Sequence, residues 1–396
     1  MPGSSAQMEW SQFVESLKPI ENTLAYVLGV EDSWLRQEAI QQMAMSLSQA
    51  YALHFSDDPQ RPHFAPLLNP IIKSAAPNPD YMYRIAFIDD LGTYRISGQR
   101  GTNLFTQVGV GSGLVGVDDI PGPPLVSLEL DEDLTLAPDG KFSFIVSPER
   151  PEGYEGDWVK LEKGARTVNI REASYDWLNE RDGVFSIVRL DAALQYRRWS
   201  EAEIAHALER IAGFPERYAK IFVQFVRTLE KNPVNAVSLH DWSGIGGLKG
   251  QTYYEGLFEI AEDEALILET EIPQTVQYWS VLLADRIFNT IEWEKCQSSI
   301  NGHQATLDSD GKFRAVISIR DPGVPNWLET AGRTQGVVQG RWLKADTAPV
   351  PTLKRVKVAD VRAHLPAGTP VFGENERREQ LLKRWEGGTT SPEMVG

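Results

Sequence analysis

The sequence predicts a mainly β protein with helical additions: two tandem antiparallel β-sandwich or jelly-roll-like units related by internal duplication. Three observations lead there. Apolar residues alternate with a period of two from Tyr83 to Ile170 and again from Thr252 to about Trp342. Asp139-Gly140-Lys141-Phe142 recurs as Asp310-Gly311-Lys312-Phe313, an offset of 171 residues. The strand candidates do not alternate with helices, which argues against a parallel α/β sheet. Applied without gaps, the offset pairs Tyr83 with Tyr254, Phe87 with Phe258, Ile96 with Ile267, Val110 with Val281 and Ser147 with Ser318. Trp158 meets Trp327 once two residues are deleted. Asp-Gly is a common hairpin turn, so the tetrapeptide alone is weak, and the persistence of the offset is the stronger evidence.

Residues 1–80 read as an N-terminal helical region and an irregular connection. Phe13, Leu17, Leu24, Val27 and Leu28 stand near helical spacing, and Pro19 divides them. Ser33 caps a second helix whose inner face is Leu35, Ala39, Met43, Leu47 and Tyr51. Residues 59–79 are proline-rich. Residues 81–178 form the first sandwich, with strands near 83–88, 93–98, 104–110, 126–130 and 141–146 and two more within 159–170. Residues 179–250 read as a helical hairpin bridge. Ser200 and Glu203 make a capping box, Gly213-Phe214-Pro215 separates the two helices, and Asn232-Pro233 ends the second. Residues 251–346 form the second sandwich. Residues 347–396 are an extension with a charged helix over 374–385 and a disordered tail from Gly387.

The chain has 396 residues, enough for two or three units. With 39 Lys and Arg against 55 Asp and Glu, the net charge of −16 argues against nucleic acid or an anionic membrane as partner. A single cysteine, Cys296, excludes an intrachain disulfide and reads as an inert core thiol. No secretory signal and no apolar stretch of membrane-spanning length is seen, so a cytoplasmic location is expected. The glycine-rich runs at 109–113 and 244–247 lack nucleotide-binding spacing. None of the six histidines is paired as H-x-H or H-x-x-x-H. No metal and no cofactor is therefore expected. His240-Asp241-Trp242-Ser243 is tempting, but no G-x-S-x-G elbow exists. A homo-oligomer is left open.

His303 is the general-base candidate, because histidine moves protons near neutral pH; the plainer reading is a half-exposed strand histidine. Arg320 beside Asp321 offers a donor fork for an anion or a polarised carbonyl, against a local ion pair at a Pro-Gly turn. Asp80 with Tyr83 offers an acid/base pair, against an Asx-turn. Asn301 and Asn326 lie near these positions. Tyr278, Trp279, Trp293 and Trp327 make the pocket hypothesis, though each alone is more simply core. Arg171, Tyr175 and Asp176 close the first copy, and Arg341 closes the second.

Several segments resemble a known family. Asn78-Pro79-Asp80-Tyr81-Met82-Tyr83, Thr93-Tyr94-Arg95-Ile96, Ser298-Ser299-Ile300-Asn301-Gly302-His303-Gln304 and residues 319–327 are similar to the bacterial domain of unknown function numbered twelve-fourteen. That domain often travels with the twelve-fifty-four domain. The resemblance implies a largely β architecture with two jelly-roll-like parts. It also implies a place among proteins that break down hydrophobic small molecules, with a lipolytic role suggested for relatives. The expected function is a cofactor-independent enzyme, a hydrolase or lyase/isomerase, acting on a hydrophobic small molecule. His303, Arg320, Asp321 and Asn301 would be its catalytic residues, and Tyr278, Trp279, Trp293, Trp327, Asn326, Tyr83 and Asp80 would bind substrate. The alternative is a non-catalytic β-sandwich module for a sugar or lipid.

Overall fold

A computed structural model of the chain describes residues 8–28, 33–118, 122–193 and 198–389. The leading residues and residues 390–396, on which the expected absence of a signal and most of the expected disorder fall, lie outside the described residues, as do the side chains of Val27, Leu28 and Ser33; residues 387–389, expected to be disordered, instead end the last helix, Glu374–Thr389. The first unit holds β1 (Ala65–Leu68), β2 (Tyr81–Phe87), β3 (Tyr94–Gln99), β4 (Phe105–Gly111), β5 (Pro124–Glu129), β6 (Lys141–Ser147), β7 (Asp157–Lys160), β8 (Thr167–Ala173) and β9 (Val184–Arg189). The second holds β10 (Ser238–His240), β11 (Gln251–Glu259), β12 (Glu264–Thr270), β13 (Tyr278–Ala284), β14 (Ser299–Asn301), β15 (Phe313–Ser318), β16 (Trp327–Glu329), β17 (Gln335–Leu343) and β18 (Thr352–Lys357). The α-helices are α1 (Trp10–Ser16), α2 (Ile20–Leu28), α3 (Ser33–Ser56), α4 (Leu130–Asp133), α5 (Glu201–Leu229) and α6 (Glu374–Thr389), and two 3-10 turns span Ser243–Ile245 and Val358–His364.

The two units share one topology. A front sheet ordered β1-β2-β8-β4-β5 faces a back sheet ordered β7-β6-β3-β9. The second unit repeats this as β10-β11-β17-β13-β14 and β16-β15-β12-β18. Phe142, Phe144 and Val146 pack inside the first sandwich with Val108, Val168 and Ile170. Phe313, Ala315 and Ile317 pack inside the second with Val281, Val338 and Trp342. The tetrapeptide hairpins coincide: Gly140 and Gly311 both hold φ 79°, and Lys141 and Lys312 both donate to the aspartate two residues before. Trp158 stands beside Ile145 and Trp327 beside Val316, in parallel pairings that match across the copies.

Elsewhere the offset drifts, and the gapless alignment is corrected. Tyr83 pairs with Arg171 across β2 and β8, and Tyr253 pairs with Arg341 across β11 and β17, so the counterpart of Tyr83 is Tyr253 and not Tyr254. Likewise Val108 opposite Ile170 matches Val281 opposite Gly340. A slip of one residue turns a strand's side chains to the opposite face, so Tyr83 with Tyr254, or Ile96 with Ile267, matched inward residues to outward ones. In the front sheets the copies also diverge inside: the first unit has the ion pair Arg84–Glu172 where the second has Tyr254 against Trp342.

The unit boundaries also extend past those expected. β1 lies in the proline-rich connection, β9 and β10 in the bridge and β18 in the C-terminal extension. All four are edge strands with one free side and at most one buried residue each, which weakens their pattern in the sequence. The bridge is not a hairpin. Ser200 and Glu203 form the expected capping box, but α5 runs unbroken through Pro215. A proline inside a helix deletes one backbone hydrogen bond. Here the carbonyl that loses its helical donor is that of Ile211; Phe214 and Tyr218 bury this turn against Ile85 and Phe87, and Arg217 Nη2 donates to the adjacent Arg210 carbonyl at 2.7 Å. Further along, Val226 and Leu229 pack on Leu257, Leu282 and Val337 of the second unit. One helix therefore lies on the outward faces of both front sheets.

Two outcomes follow. Ring atoms of Tyr254 lie 1.8–2.2 Å from where a Cβ on Gly340 would stand, and that ring is fully buried. Gly340→Ala should destabilise the protein by about 2 kcal/mol or more, and Tyr254→Leu should relieve part of the loss when the two are combined; additive effects in chemical denaturation would contradict this. His54 of α3 is buried edge-on to Phe214, and burial first, then Arg210 and Arg217, lowers its pKa from 6.5 to about 4. A depressed histidine favours the fold fully above pH 6.5, and that stability is lost as pH falls toward 4. Wild type should lose on the order of 2 kcal/mol more than His54→Gln between pH 7 and pH 4. Parallel melting-temperature profiles for the two proteins would refute the assignment.

Candidate functional site

The front sheets face one another, and the joint between them is built from corresponding residues. Tyr81, Phe105 and Ala173 of the first unit meet Tyr278 and Leu343 of the second. By register, Tyr81 corresponds to Gln251, and its hydroxyl donates to Gln251 Oε1 at 3.1 Å. Phe105 corresponds to Tyr278, and their rings lie 6.2 Å apart, edge to face. A residue that touches its own counterpart marks a local twofold axis. Beside this axis, under α5, is a cavity of about 880 Å³.

Alternation decides what lines it. On β8, Val168 and Ile170 point into the first core, so Asn169 and Arg171 point out. On β17, Val338 and Trp342 point into the second core, so Gln339 and Arg341 point out. Two matching cross-strand rows result, Tyr83–Arg171–Gln107 and Tyr253–Arg341–Ser280. The Arg171 guanidinium lies 6.0 Å from the Tyr83 ring centroid, and that of Arg341 lies 5.4 Å from Tyr253. Phe222 and Phe225 of α5, with Phe288, supply an apolar wall.

Arg341 is only 5% exposed. Its Nη2 donates to Gln339 Oε1 and to the Ala76 carbonyl, whereas its Nη1 is buried with no partner among the described residues. Gln107 Oε1 and Ser280 Oγ, in the two rows, are likewise buried without a partner among the described residues. The Gln339 amide also donates to Glu255, a fully buried carboxylate on the same wall that accepts from Trp242 Nε1 at 2.8 Å. His240 Nδ1 lies 3.1 Å from Glu255, and Asp241 accepts from the Ser243 N–H instead, so residues 240–243 assemble no triad. Burial pushes the Tyr81 and Tyr83 hydroxyls up from 10.0 against the pull of Arg341, so both stay protonated as donors or neutral acceptors.

A second cavity, of about 220 Å³, adjoins the first and shares Pro77, Tyr81 and Tyr83 with it. Asp80 and Trp293 line it. Asp80 is buried at the joint, where Tyr278 Oη, Trp177 Nε1 (2.8 Å) and Asn301 Nδ2 (2.8 Å) all donate to its carboxylate. Desolvation nevertheless raises its pKa. Asp80, Tyr278 and Asn301 are thus brought together, as one hydrogen-bonded clasp between the units.

The expected constellation of His303, Arg320 and Asp321 is not assembled. Asn301 uses its Oδ1 to accept from His303 N and Gln304 N, a tight turn that carries His303 past the joint. The His303 side chain is 55% exposed, with Nε2 3.8 Å from Asp176. Arg320 is exposed, and Asp321 pairs with Arg377 of α6 at 2.9 Å. Among the described residues no hydrogen bond or ion pair joins His303 to Arg320 or Asp321. The pocket hypothesis divides in the same way. Trp279 lies inside the second core against Phe313 and Trp342. Trp327 is buried beneath Arg377, and Asn326 ties Thr306 to Arg314. Tyr83 alone of the substrate-binding candidates lines the large cavity.

Arg171 and Arg341 were singled out only as closing residues, and Tyr253, Glu255 and Gln339 were missed. One signal for them was present: Tyr83 precedes Arg171 by 88 residues, and Tyr253 precedes Arg341 by 88. The buried Cys296 thiol is pushed up to about 12 by desolvation and donates to the Glu292 carbonyl. Among the described residues no group of three or more His, Cys, Asp or Glu side chains is placed to hold a metal ion, and no helix is long and apolar enough to cross a membrane.

Comparison with known proteins gives a fold and, for the second unit, a family resemblance. No curated protein matches the chain. The chain is similar to an uncharacterised protein from Burkholderia cenocepacia of known structure, with 26% identity and a TM-score of 0.82, over 88% of this chain and 97% of that one. The VPA0106 protein from Vibrio parahaemolyticus aligns over 86% of this chain and 100% of its own, at 12% identity and a TM-score of 0.46, too low to carry an argument. Residues 260–343, from β12 to the end of β17, match the model of a family described as a protein of unknown function (DUF1214), and in this second unit the chain resembles that family.

Proposed function

We propose that the inter-unit cavity binds a largely apolar small molecule that carries an anionic group, and that this group rests against Arg341. The carrying observation is the buried Arg341 guanidinium, whose Nη1 has no partner among the described residues on the wall of an 880 Å³ cavity. Burying a guanidinium costs several kcal/mol unless its donors are met. Gln339 and Ala76 meet only part of that need. The volume lies within the range of small-molecule sites. The charges agree as well. Arg171, Lys249 and Arg341 line the cavity against Glu255 alone, because Arg84 is tied to Glu172, in a chain whose net charge is −16.

The same donors would steady negative charge developing on an ester or carbonyl oxygen. Hydrolase or lyase/isomerase chemistry on a hydrophobic substrate therefore has its natural seat here and not at His303. A concave cavity walled on one side by α5 favours this over a flat aromatic platform for sugars.

The matched pair octanoate and 1-octanol tests the reading by isothermal titration calorimetry. Octanoate should bind at least tenfold more tightly, and Arg341→Met should erase that preference, since charge-assisted bonds contribute about 1.5–3 kcal/mol. Equal binding of acid and alcohol to the wild type, which needs no variant to fold, would overturn it.

A further inference from the structure

The duplication gives the cavity two guanidinium groups in place of one. Arg171 and Arg341 occupy the same position in their units, each across from a tyrosine, Tyr83 and Tyr253, and each on the outward face of its front sheet. Because the sheets meet about a local twofold axis, both arginines line the same cavity. Each stands one same-face step along its strand from a residue of the joint, Arg171 from Ala173 and Arg341 from Leu343, and those two pack in one cluster. Neither pairs with a carboxylate among the described residues. Arg171 Nη2 donates to the Gly246 carbonyl at 2.6 Å, which fixes the side chain at the mouth beside the loop over 243–249 without neutralising it. Arg341 has Gln339 and Ala76 as its neutral partners. The two rows also bring Gln107, Tyr83 and Tyr253 to the cavity lining.

Resting on the reading of Arg341 above, we infer that the ligand's polar end is a dianion, two negative charges close together on an apolar body, with Arg341 holding one charge at depth and Arg171 the other at the mouth. The ligand class is an alkyl or aryl compound that ends in paired carboxylates or in one doubly charged group. A guanidinium presents a planar fork of donors, so two of them on opposite walls bind a two-charge head in a fixed orientation and leave the apolar body against Phe222, Phe225 and Phe288. Arg171 is then the residue that selects between singly and doubly charged ligands.

Hexylmalonate is octanoate with a second carboxylate on the α carbon, so the two probes differ only in the charge at issue. At pH 7.5, calorimetry on the full-length protein should show hexylmalonate binding at least tenfold more tightly than octanoate. Arg171→Met should abolish that difference, and Arg171→Lys should restore part of it. Arg171 is only partly buried, so the variants are expected to fold, and unchanged melting temperatures would show that they have. If octanoate outbinds octanol but hexylmalonate gains nothing, the two-charge inference fails while the Arg341 reading stands. If octanoate has no advantage over octanol, the Arg341 reading fails first. If hexylmalonate keeps its advantage in Arg171→Met, the assignment of the second charge to Arg171 is wrong.

Discussion

A β-sheet in a sandwich turns one face to its core and usually leaves the other to water. The two front sheets have no such free face. One side of each closes its own sandwich, and the other lies against its counterpart and beneath α5. Polar residues that alternation places on the outer face are therefore buried as well, and a buried polar group needs a partner. Asp80, Tyr278 and Asn301 find partners in one another. Glu255 and Gln339 do the same. Among the described residues Gln107 and Arg341 keep atoms without one, and the cavity opens beside them.

This explains what could be read from the sequence and what could not. The β class, the duplication and the hairpin match of Phe142 with Phe313 depend on local signals, namely strand periodicity and a glycine at positive φ. Those signals survive divergence. Assigning residues to a face depends on register, and here a single-residue drift was enough to mislead. At offset 171 the outward Tyr83 was laid on the inward Tyr254. At 170 the two tyrosines and the two arginines fall into line together. The edge strands were missed because each buries at most one residue, and the continuity of α5 because the turn holding its proline is packed by Phe214 and Tyr218 on Ile85 and Phe87, contacts no local pattern announces.

The candidates near 301–327 failed for a related reason. His303, Arg320 and Asp321 are polar residues in turns, and a turn at the rim of a sandwich points to water. Asn301 was in the right place for a different role, since its amide faces Asp80 across the joint while its carbonyl oxygen closes the turn beneath His303. Sequence proximity grouped these residues, but the sheet separated them. The residues that do converge, Tyr83, Arg171, Tyr253 and Arg341, are far apart in the chain and neighbours only through strand pairing.

The self-matching joint has a historical consequence. Contacts such as Tyr81 with Gln251 and Phe105 with Tyr278 are those that two identical chains make across a symmetric dimer interface. An unfused ancestor with this interface would have carried the same residues on both walls, and each change would have struck both at once. Joining the halves in one polypeptide, with α5 laid over the seam, removed that obligation. Glutamine could stand at 107 while serine stood at 280, and one arginine could sink while the other stayed at the entrance. An asymmetric molecule is better served by such a pair of walls than by two copies of either.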